Sequence, residues 1–288
     1  MVNYAGIRID GIDARTNLQG FCVIYDQFKP RDLKGNQTAS QILLSLTSRK
    51  IWDYESFSNI LIKMATTGEY IPARHQPDYI NMGTKPNSLG ETADKLETLT
   101  MEKTREHART FLVDVDKEIL LLSEQITVGT YNEVAVFWDT PFLREQYCKR
   151  STSIHTHDPG NISGTSDAEL KSFLENINTS TEIYSLSGLH FSNPDFEVFL
   201  KDGQQTCMIV GWRGAKMMIL KTSATQRDIP KEIIQNQIER MEKDFISRRL
   251  TFQSQMAHMK RICSTFGLIL YVVPPGNMNL AKRVPLIN

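Results

Sequence analysis

Apolar and polar positions along the chain predict many short strands with helices between them. Two early strands are predicted at 7–9 and 21–25. Apolar runs bounded by turn residues predict strands at 111–115, 118–122, 133–138, 151–157, 184–191, 196–200, 207–212, 217–220 and 268–273. The tight-turn pairs Asp202-Gly203 and Arg213-Gly214 stand between the last strands of this series. The tail after residue 274 is predicted to be irregular.

Helical spacing of apolar residues predicts helices at 38–49, 54–64 and 167–178, and a polar helix is predicted at 92–109. The clearest stripe runs from Ile234 to Ile262, after a helix start marked by Asp228 and Pro230. It predicts one long C-terminal amphipathic helix that ends before Gly267. Packing of this stripe against the sheet is the favoured interpretation, and the length of the helix also leaves room for a homodimer.

Turn-forming residues divide the chain into two predicted parts. Residues 81–91 are rich in Gly, Pro, Asn and Ser and are a candidate linker. The preceding residues, 1–80, are predicted to form a small N-terminal αβ module of unknown role. Residues 92–288 form the second predicted domain. The expected fold class is α+β, with an α/β/α-like arrangement of a central mixed sheet flanked by helices.

Composition narrows the class of protein. The chain has 288 residues, of which 40% are hydrophobic and 23% charged, as in soluble globular proteins. A formal net charge of +0 gives no argument for binding nucleic acid or a membrane. Four scattered cysteines without a Cys-x-x-Cys pair argue against a cysteine-ligated zinc site and a disulfide framework. With no apolar run of about 18 residues and no secretion signal at the N-terminus, a cytoplasmic protein is expected.

The residues with the clearest chemistry are His155 and His157. Positions i and i+2 of a strand face the same side, so both imidazoles can point at one spot. After a turn at Pro159-Gly160, Asp167 would return a carboxylate to the same spot at the start of a helix. Two His and one Asp leave a fourth position of a zinc ion open, as in catalytic sites. The plainer alternative is a pair of surface histidines in a loop.

At this point the chain resembles the JAMM/MPN (JAB) metallopeptidase superfamily. The signature of that superfamily is His-x-His, usually followed by Pro, then a turn, then Ser-x-x-Asp. The matching residues are His155, His157 and Asp167, and their spacing is most similar to bacterial and phage members with a short loop. Two positions depart from the signature. Asp158 stands where the family usually has Pro, and Gly164 stands where it has Ser.

The resemblance implies roles for further residues. Glu106 would be the general base, because the family places a glutamate at the junction of a helix and the first strand of the domain. Glu102, one turn earlier, is the second choice. In place of the family serine, a hydroxyl next to Gly164 would donate to the developing oxyanion, and the candidates are Ser163, Thr165 and Ser166. The implied cofactor is Zn²⁺.

The implied activity is hydrolysis of a peptide or isopeptide amide by zinc-activated water. In the family, the leaving amine is often a lysine side chain bonded to the C-terminus of a ubiquitin-like protein, so the expected partner is a protein or peptide substrate. A catalytically silent MPN-like interaction module is an open alternative. A metal-dependent phosphoesterase of the polymerase-and-histidinol-phosphatase type also begins with His-x-His. That site needs more downstream histidines, whereas only His190 and His258 follow, without partner spacing.

Overall fold

The structure is a computed structural model that describes residues 51–130, 134–136, 138, 148–157, 191–211, 215–226, 229–246, 252–273 and 279–286. The described strands are β1 Ile51–Trp52, β2 Tyr79–Asn81, β3 His107–Asp114, β4 Ile119–Leu122, β5 Thr127–Val128, β6 Cys148–Thr156, β7 Thr206–Val210, β8 Lys216–Lys221, β9 Leu268–Val273 and β10 Leu280–Arg283. The described α-helices are α1 Tyr54–Thr67, α2 Leu89–Lys103, α3 Asn193–Lys201, α4 Lys231–Ile246 and α5 Phe252–Phe266.

The described strands form one mixed sheet in the order β1-β2-β10-β9-β8-β7-β6-β3-β4, with β5 paired to β3. Two neighbouring pairs are parallel, β1 with β2 and β6 with β7, and the other pairs are antiparallel. Strand β6 lies between β3 and β7, with Ala108 and Ile209 as the partners of His155. The centre of β6 is therefore held by backbone hydrogen bonds from both sides.

Helices cover both faces of the sheet. Alternate residues of the strands send apolar side chains to opposite faces, and each face carries its own hydrophobic cluster. One cluster joins α1 and α2 to the sheet through residues such as Phe57, Leu96 and Ile154. The other joins α3, α4 and α5 through residues such as Phe196 and Ile262. The expected mixed sheet flanked by helices is confirmed.

Polar caps set the ends of the two helices on the first face. Asp53 precedes α1, and its carboxylate accepts a hydrogen bond from the Ser56 N–H at 2.8 Å. The helix ends at Gly68, whose φ of 71° is the left-handed conformation that glycine adopts at little cost. Ser88 caps α2 in the same way. Thr104 ends α2 at a φ of 50°, so this helix stops earlier than the predicted residue 109.

The segment 196–200 is a helix, and the prediction of a strand there was wrong. The alternating apolar residues of this stretch lie in α3. A capping box at its N-terminus, formed by Ser192 and Asp195, satisfies the first backbone N–H groups, and Pro194 stands in the first turn. In a segment this short, hydrogen bonds at the helix N-terminus stabilise the helix more than the apolar pattern favours a strand.

Two other segments differ from the predictions. Residues 280–283 form a strand, β10, within the tail that was predicted to be irregular, because β2 and β9 both offer it an edge. The strand predicted at 133–138 is not formed by its described residues, 134–136 and 138, which have no regular structure. The predicted strands at 7–9, 21–25 and 184–190, the helices at 38–49 and 167–178, and the turn at 213-214 lie outside the described residues.

The division at 81–91 does not appear as a break in the sheet or the core. Strand β2 precedes this segment, yet it pairs with β10, the last described strand. Side chains of α1, such as Phe57, share one cluster with Phe111 and Ile154. Within this segment, Ser88 caps α2 and residues 89–91 form its first turn. The part of the proposed N-terminal module that the structure describes, 51–80, therefore shares its sheet and core with the rest, while residues 1–50 lie outside the described residues.

The predicted C-terminal stripe lies on two helical segments, α4 and α5, which contact each other and contribute to the same hydrophobic cluster. Residues 247–251, between them, lie outside the described residues. One continuous helix therefore stays a prediction. Among the helices that the structure describes, none combines the length and the apolar character needed to cross a membrane.

Candidate metal centre

Strand β6 presents His155 and His157 on one face of the sheet. Ile154 lies in the cluster of the α1/α2 face, so its neighbours along the strand point to the α3 face. His157 directly follows the strand, and its backbone N–H donates to the Val210 carbonyl of β7 at 3.0 Å. The two imidazoles then meet, with 3.2 Å between their Nε2 atoms. The predicted convergence of this pair is present in the structure.

Asp195 supplies a carboxylate to the same point. It lies in the first turn of α3, where its Oδ2 accepts hydrogen bonds from the backbone N–H and the hydroxyl of Ser192, each at 2.7 Å. Its Oδ1 lies 3.3 Å from Nε2 of His155, and its Oδ2 lies 3.9 Å from Nε2 of His157. The capping box therefore orients the carboxylate that faces the histidines.

These separations fit a metal ion. Donor atoms about 2.0–2.1 Å from a tetrahedral zinc lie roughly 3.3 Å from one another. The three side chains offer ligand atoms that all lie within 4.8 Å of one another, and two of the three contacts are at 3.2 and 3.3 Å. Two imidazole nitrogens and one carboxylate oxygen suit zinc and leave a coordination position for water or substrate. The His155–His157–Asp195 group could therefore hold a metal ion.

Burial strengthens the electrostatics of this group. His155 is 4% exposed, while Asp195 and His157 are partly buried at the end of the sheet. Burial alone would lower the pKa of His155, but the adjacent Asp195 carboxylate raises that pKa well above its ordinary value. Burial would raise the pKa of Asp195, but the positive charge of His155 holds it well below its usual range. Without metal, the raised pKa of His155 and the lowered pKa of Asp195 favour an ion pair between the two groups.

This ion pair predicts a pH-dependent stability of the metal-free protein. A raised His pKa stabilises the fold below about pH 6.5, and this contribution is lost as the pH rises through the folded-state pKa. A lowered Asp pKa stabilises the fold above about pH 3.9 and is lost on further acidification. In the presence of chelator, we expect Asp195→Asn to lower the free energy of unfolding by an amount on the order of 1–3 kcal/mol. The decrease should be largest between about pH 3.9 and pH 6.5, where both groups contribute. Urea titrations of both proteins at pH 5.5 and 9.5 check this, and an equal difference at both pH values would contradict it.

The predicted base, Glu106, lies between the end of α2 and the first residue of β3, as the resemblance implies. Its side chain is buried. Its backbone N–H donates to Thr130 O at 2.9 Å, and its carbonyl accepts from Gly129 N–H at 2.8 Å. Ala108 pairs with His155 in the antiparallel ladder of β3 and β6. If the same register is extended by two residues, Glu106 comes opposite His157, on the same face of the sheet. Glu102 is an exposed residue of the last turn of α2.

Four of the predicted site residues, Asp167 and the hydroxyl candidates Ser163, Thr165 and Ser166, lie outside the described residues. The carboxylate beside the histidines among the described residues, Asp195, was not predicted. A signal for it existed, because Ser192-Asn193-Pro194-Asp195 has the Ser-x-x-Asp spacing of the family signature. A short loop after the histidines favours Asp167 instead, because it is the first acidic residue that begins a helical pattern.

Helix α3 is anchored at points away from the metal ligands. Asp202, just after the helix, accepts a hydrogen bond from Trp138 Nε1 at 2.8 Å and pairs with Arg150 of β6. On the outer side of the helix, Glu197 pairs with Lys231 at 2.9 Å and accepts from Gln235 of α4 at 2.9 Å. These contacts bind α3 to its neighbours in both layers, so the position of Asp195 is set by more than its own contacts.

Comparisons of the chain with protein-family models, with curated proteins and with solved structures found no match.

Proposed function

We propose that the chain is a zinc-dependent hydrolase that cleaves a peptide or isopeptide amide. The observation that carries the proposal is the convergence of His155, His157 and Asp195, with ligand atoms that all lie within 4.8 Å of one another. The supporting observation is a buried glutamate, Glu106, two residues before Ala108, the strand partner of His155. The His-x-His and Ser-x-x-Asp spacings of the JAMM/MPN superfamily both occur, and in that family they serve amide hydrolysis.

Five side chains would share the work. The two imidazoles and Asp195 would hold the ion and leave one face of it open. A bound zinc ion supplies a Lewis acid and a water acidified to a pKa of about 7. Glu106 would accept the proton of the attacking water and deliver it to the leaving amine. A side-chain hydroxyl would donate to the developing oxyanion, a contribution worth about 3 kcal/mol. Ser192, Ser163, Thr165 and Ser166 are the candidates for this donor.

Ser192 is a candidate because of its place beside the ligands. Its hydroxyl donates to Oδ2 of Asp195 at 2.7 Å, and it would have to exchange this bond for one to the oxyanion during turnover. It also holds the serine position of the Ser-x-x-Asp spacing.

The family resemblance implies a ubiquitin-like protein as one half of the substrate, and this is the proposed substrate class.

A silent interaction module of the same fold is the second candidate, because Asp158 replaces the family proline after the histidines. Bound metal and turnover separate the two functions. A silent module that keeps its ligands would bind zinc without cleaving an amide.

The proposal is tested by metal content and turnover of the wild type and of His155→Ala. We expect the wild type to bind about one zinc per chain, to show a higher midpoint of thermal unfolding with zinc than with chelator, and to cleave an amide-linked fluorophore from the C-terminus of a ubiquitin-like protein. His155→Ala should lose all three properties. His75→Ala, which changes a histidine in the short 73–75 helix, is the matched control and should keep them. Equal zinc binding by the wild type and His155→Ala would exclude the site.

A further inference from the structure

The residue between the two metal-facing histidines is a buried threonine. Side chains alternate along β6, so Thr156 points to the opposite face of the sheet from His155 and His157. It is 1% exposed and lies at the end of the strand, beneath the last turns of α2. A threonine is not required there by packing alone, since valine has the same shape. The hydroxyl of Thr156 therefore has a role other than packing.

The Thr156 hydroxyl is the centre of a small buried network. The backbone N–H of His107 donates to Thr156 Oγ1 at 2.8 Å. Thr156 Oγ1 also lies 2.6 Å from Oγ1 of Thr100, on α2. Thr100 Oγ1 in turn lies 3.1 Å from Nδ1 of His107. All three residues are buried, so these hydrogen bonds are shielded from competing water.

This network connects β3 to β6 just beyond their last backbone pair. Backbone pairing of β3 with β6 reaches the partners Ala108 and His155. One residue further, the side chain of Thr156 is the acceptor for the His107 N–H. On the other side of β6, the N–H of His157 donates to Val210 O of β7. The His-Thr-His segment is thereby fixed to both neighbouring strands and to α2.

We propose that Thr156, held by Thr100 and His107, is a positioning residue for the metal centre. Fixing its side chain towards α2 directs the two flanking imidazoles to the other face at the separation that a metal ion needs. The same bond to the His107 backbone sets the strand position next to Glu106. This inference rests on the proposed function, because it assigns the network a role in holding the ligands of that site.

The test compares Thr156→Val, which removes the hydroxyl but keeps the shape, with Thr156→Ser, which keeps the hydroxyl. The matched control is Thr206→Val on β7, the strand next to β6. It removes a buried hydroxyl that donates to Ile219 O of β8 at 2.8 Å. Affinity for Co²⁺ is measured by its visible absorption and by chelator competition. The midpoint of thermal unfolding is measured in chelator for every variant.

We expect Thr156→Val and Thr206→Val to lower the unfolding midpoint alike. Thr156→Val alone should also weaken Co²⁺ binding by about 10–100-fold, the range found when outer partners of metal ligands are removed. Thr156→Ser, which keeps the hydroxyl, should bind Co²⁺ about as tightly as the wild type. Thr100→Val, which keeps the bond from His107 to Thr156, is the second variant if Thr156→Val does not fold, and it should weaken Co²⁺ binding in the same direction.

The outcomes separate this inference from the proposed function. If the wild type binds Co²⁺ and the folded Thr156→Val and Thr100→Val variants bind it equally well, the positioning role is wrong and the metal site stands. If Thr206→Val weakens Co²⁺ binding as much as Thr156→Val, the effect is one of general stability and the inference is overturned. If the wild type binds neither Co²⁺ nor Zn²⁺, both the proposed function and this inference fail.

Discussion

Replacing Asp195 with asparagine should weaken zinc binding by more than about 100-fold, because outer partners of metal ligands alone account for 10–100-fold. Asparagine keeps the size of the side chain and an oxygen for the Ser192 N–H, so α3 should still form. The loss would come from the missing negative charge and carboxylate oxygen, which lie 3.3 Å from His155 in the ligand group. Chelator competition with zinc measures the effect.

The comparison variant for this prediction is Asp167→Asn. Sequence reasoning assigns the third ligand to Asp167, whereas Asp195 lies beside the histidines in the structure. We expect Asp167→Asn to bind zinc as the wild type does. The opposite result, in which Asp167→Asn loses zinc and Asp195→Asn keeps it, would return the assignment to the earlier residue. Unchanged affinity in both variants would remove the carboxylate from the site altogether.

Replacing Glu106 with glutamine should abolish turnover while leaving zinc in place. Loss of a positioned general base costs about 10²–10⁴-fold in rate. Glutamine is close in size to glutamate and can fill the same buried position next to β3, but it cannot accept the proton of an attacking water. The measurement is the rate of amide cleavage at saturating zinc, together with the zinc content of the variant.

Glu102→Gln is the control for this second prediction. Glu102 is exposed on the last turn of α2, so its replacement should leave the rate unchanged. A loss of turnover in Glu102→Gln with full activity in Glu106→Gln would transfer the role of base to Glu102. If both variants keep zinc and full turnover, neither glutamate is the base and the proposed mechanism is wrong.

Much of the sheet could be predicted from the sequence, because its strands are continuous apolar runs with clear ends. The segment 268–273 is an example: its six residues are all buried, and the structure has a strand with the same bounds. The convergence of His155 and His157 was equally accessible, since it follows from alternation along one strand. Both predictions depend on local periodicity alone.

Asp195 comes close to the histidines through contacts that are distant in sequence, which local periodicity does not reveal. A short apolar segment at 196–200 fits a strand as well as a helix. Ser192 and Asp195 favour the helix, because their side chains satisfy the first N–H groups of α3. Asp195 can reach the histidines because α3 packs on the sheet beside β6, a tertiary arrangement that periodicity does not contain.

The ligands of the candidate centre belong to two layers of the fold. His155 and His157 are carried by the sheet, and Asp195 by a helix that the chain reaches only after residues 158–190. An ion shared by them would cross-link the helix to the sheet, in addition to the apolar and polar contacts that hold α3 there. Because an ion bound only by the folded arrangement stabilises that arrangement, scarcity of the ion would remove one attachment of α3 while its other contacts keep the helix docked.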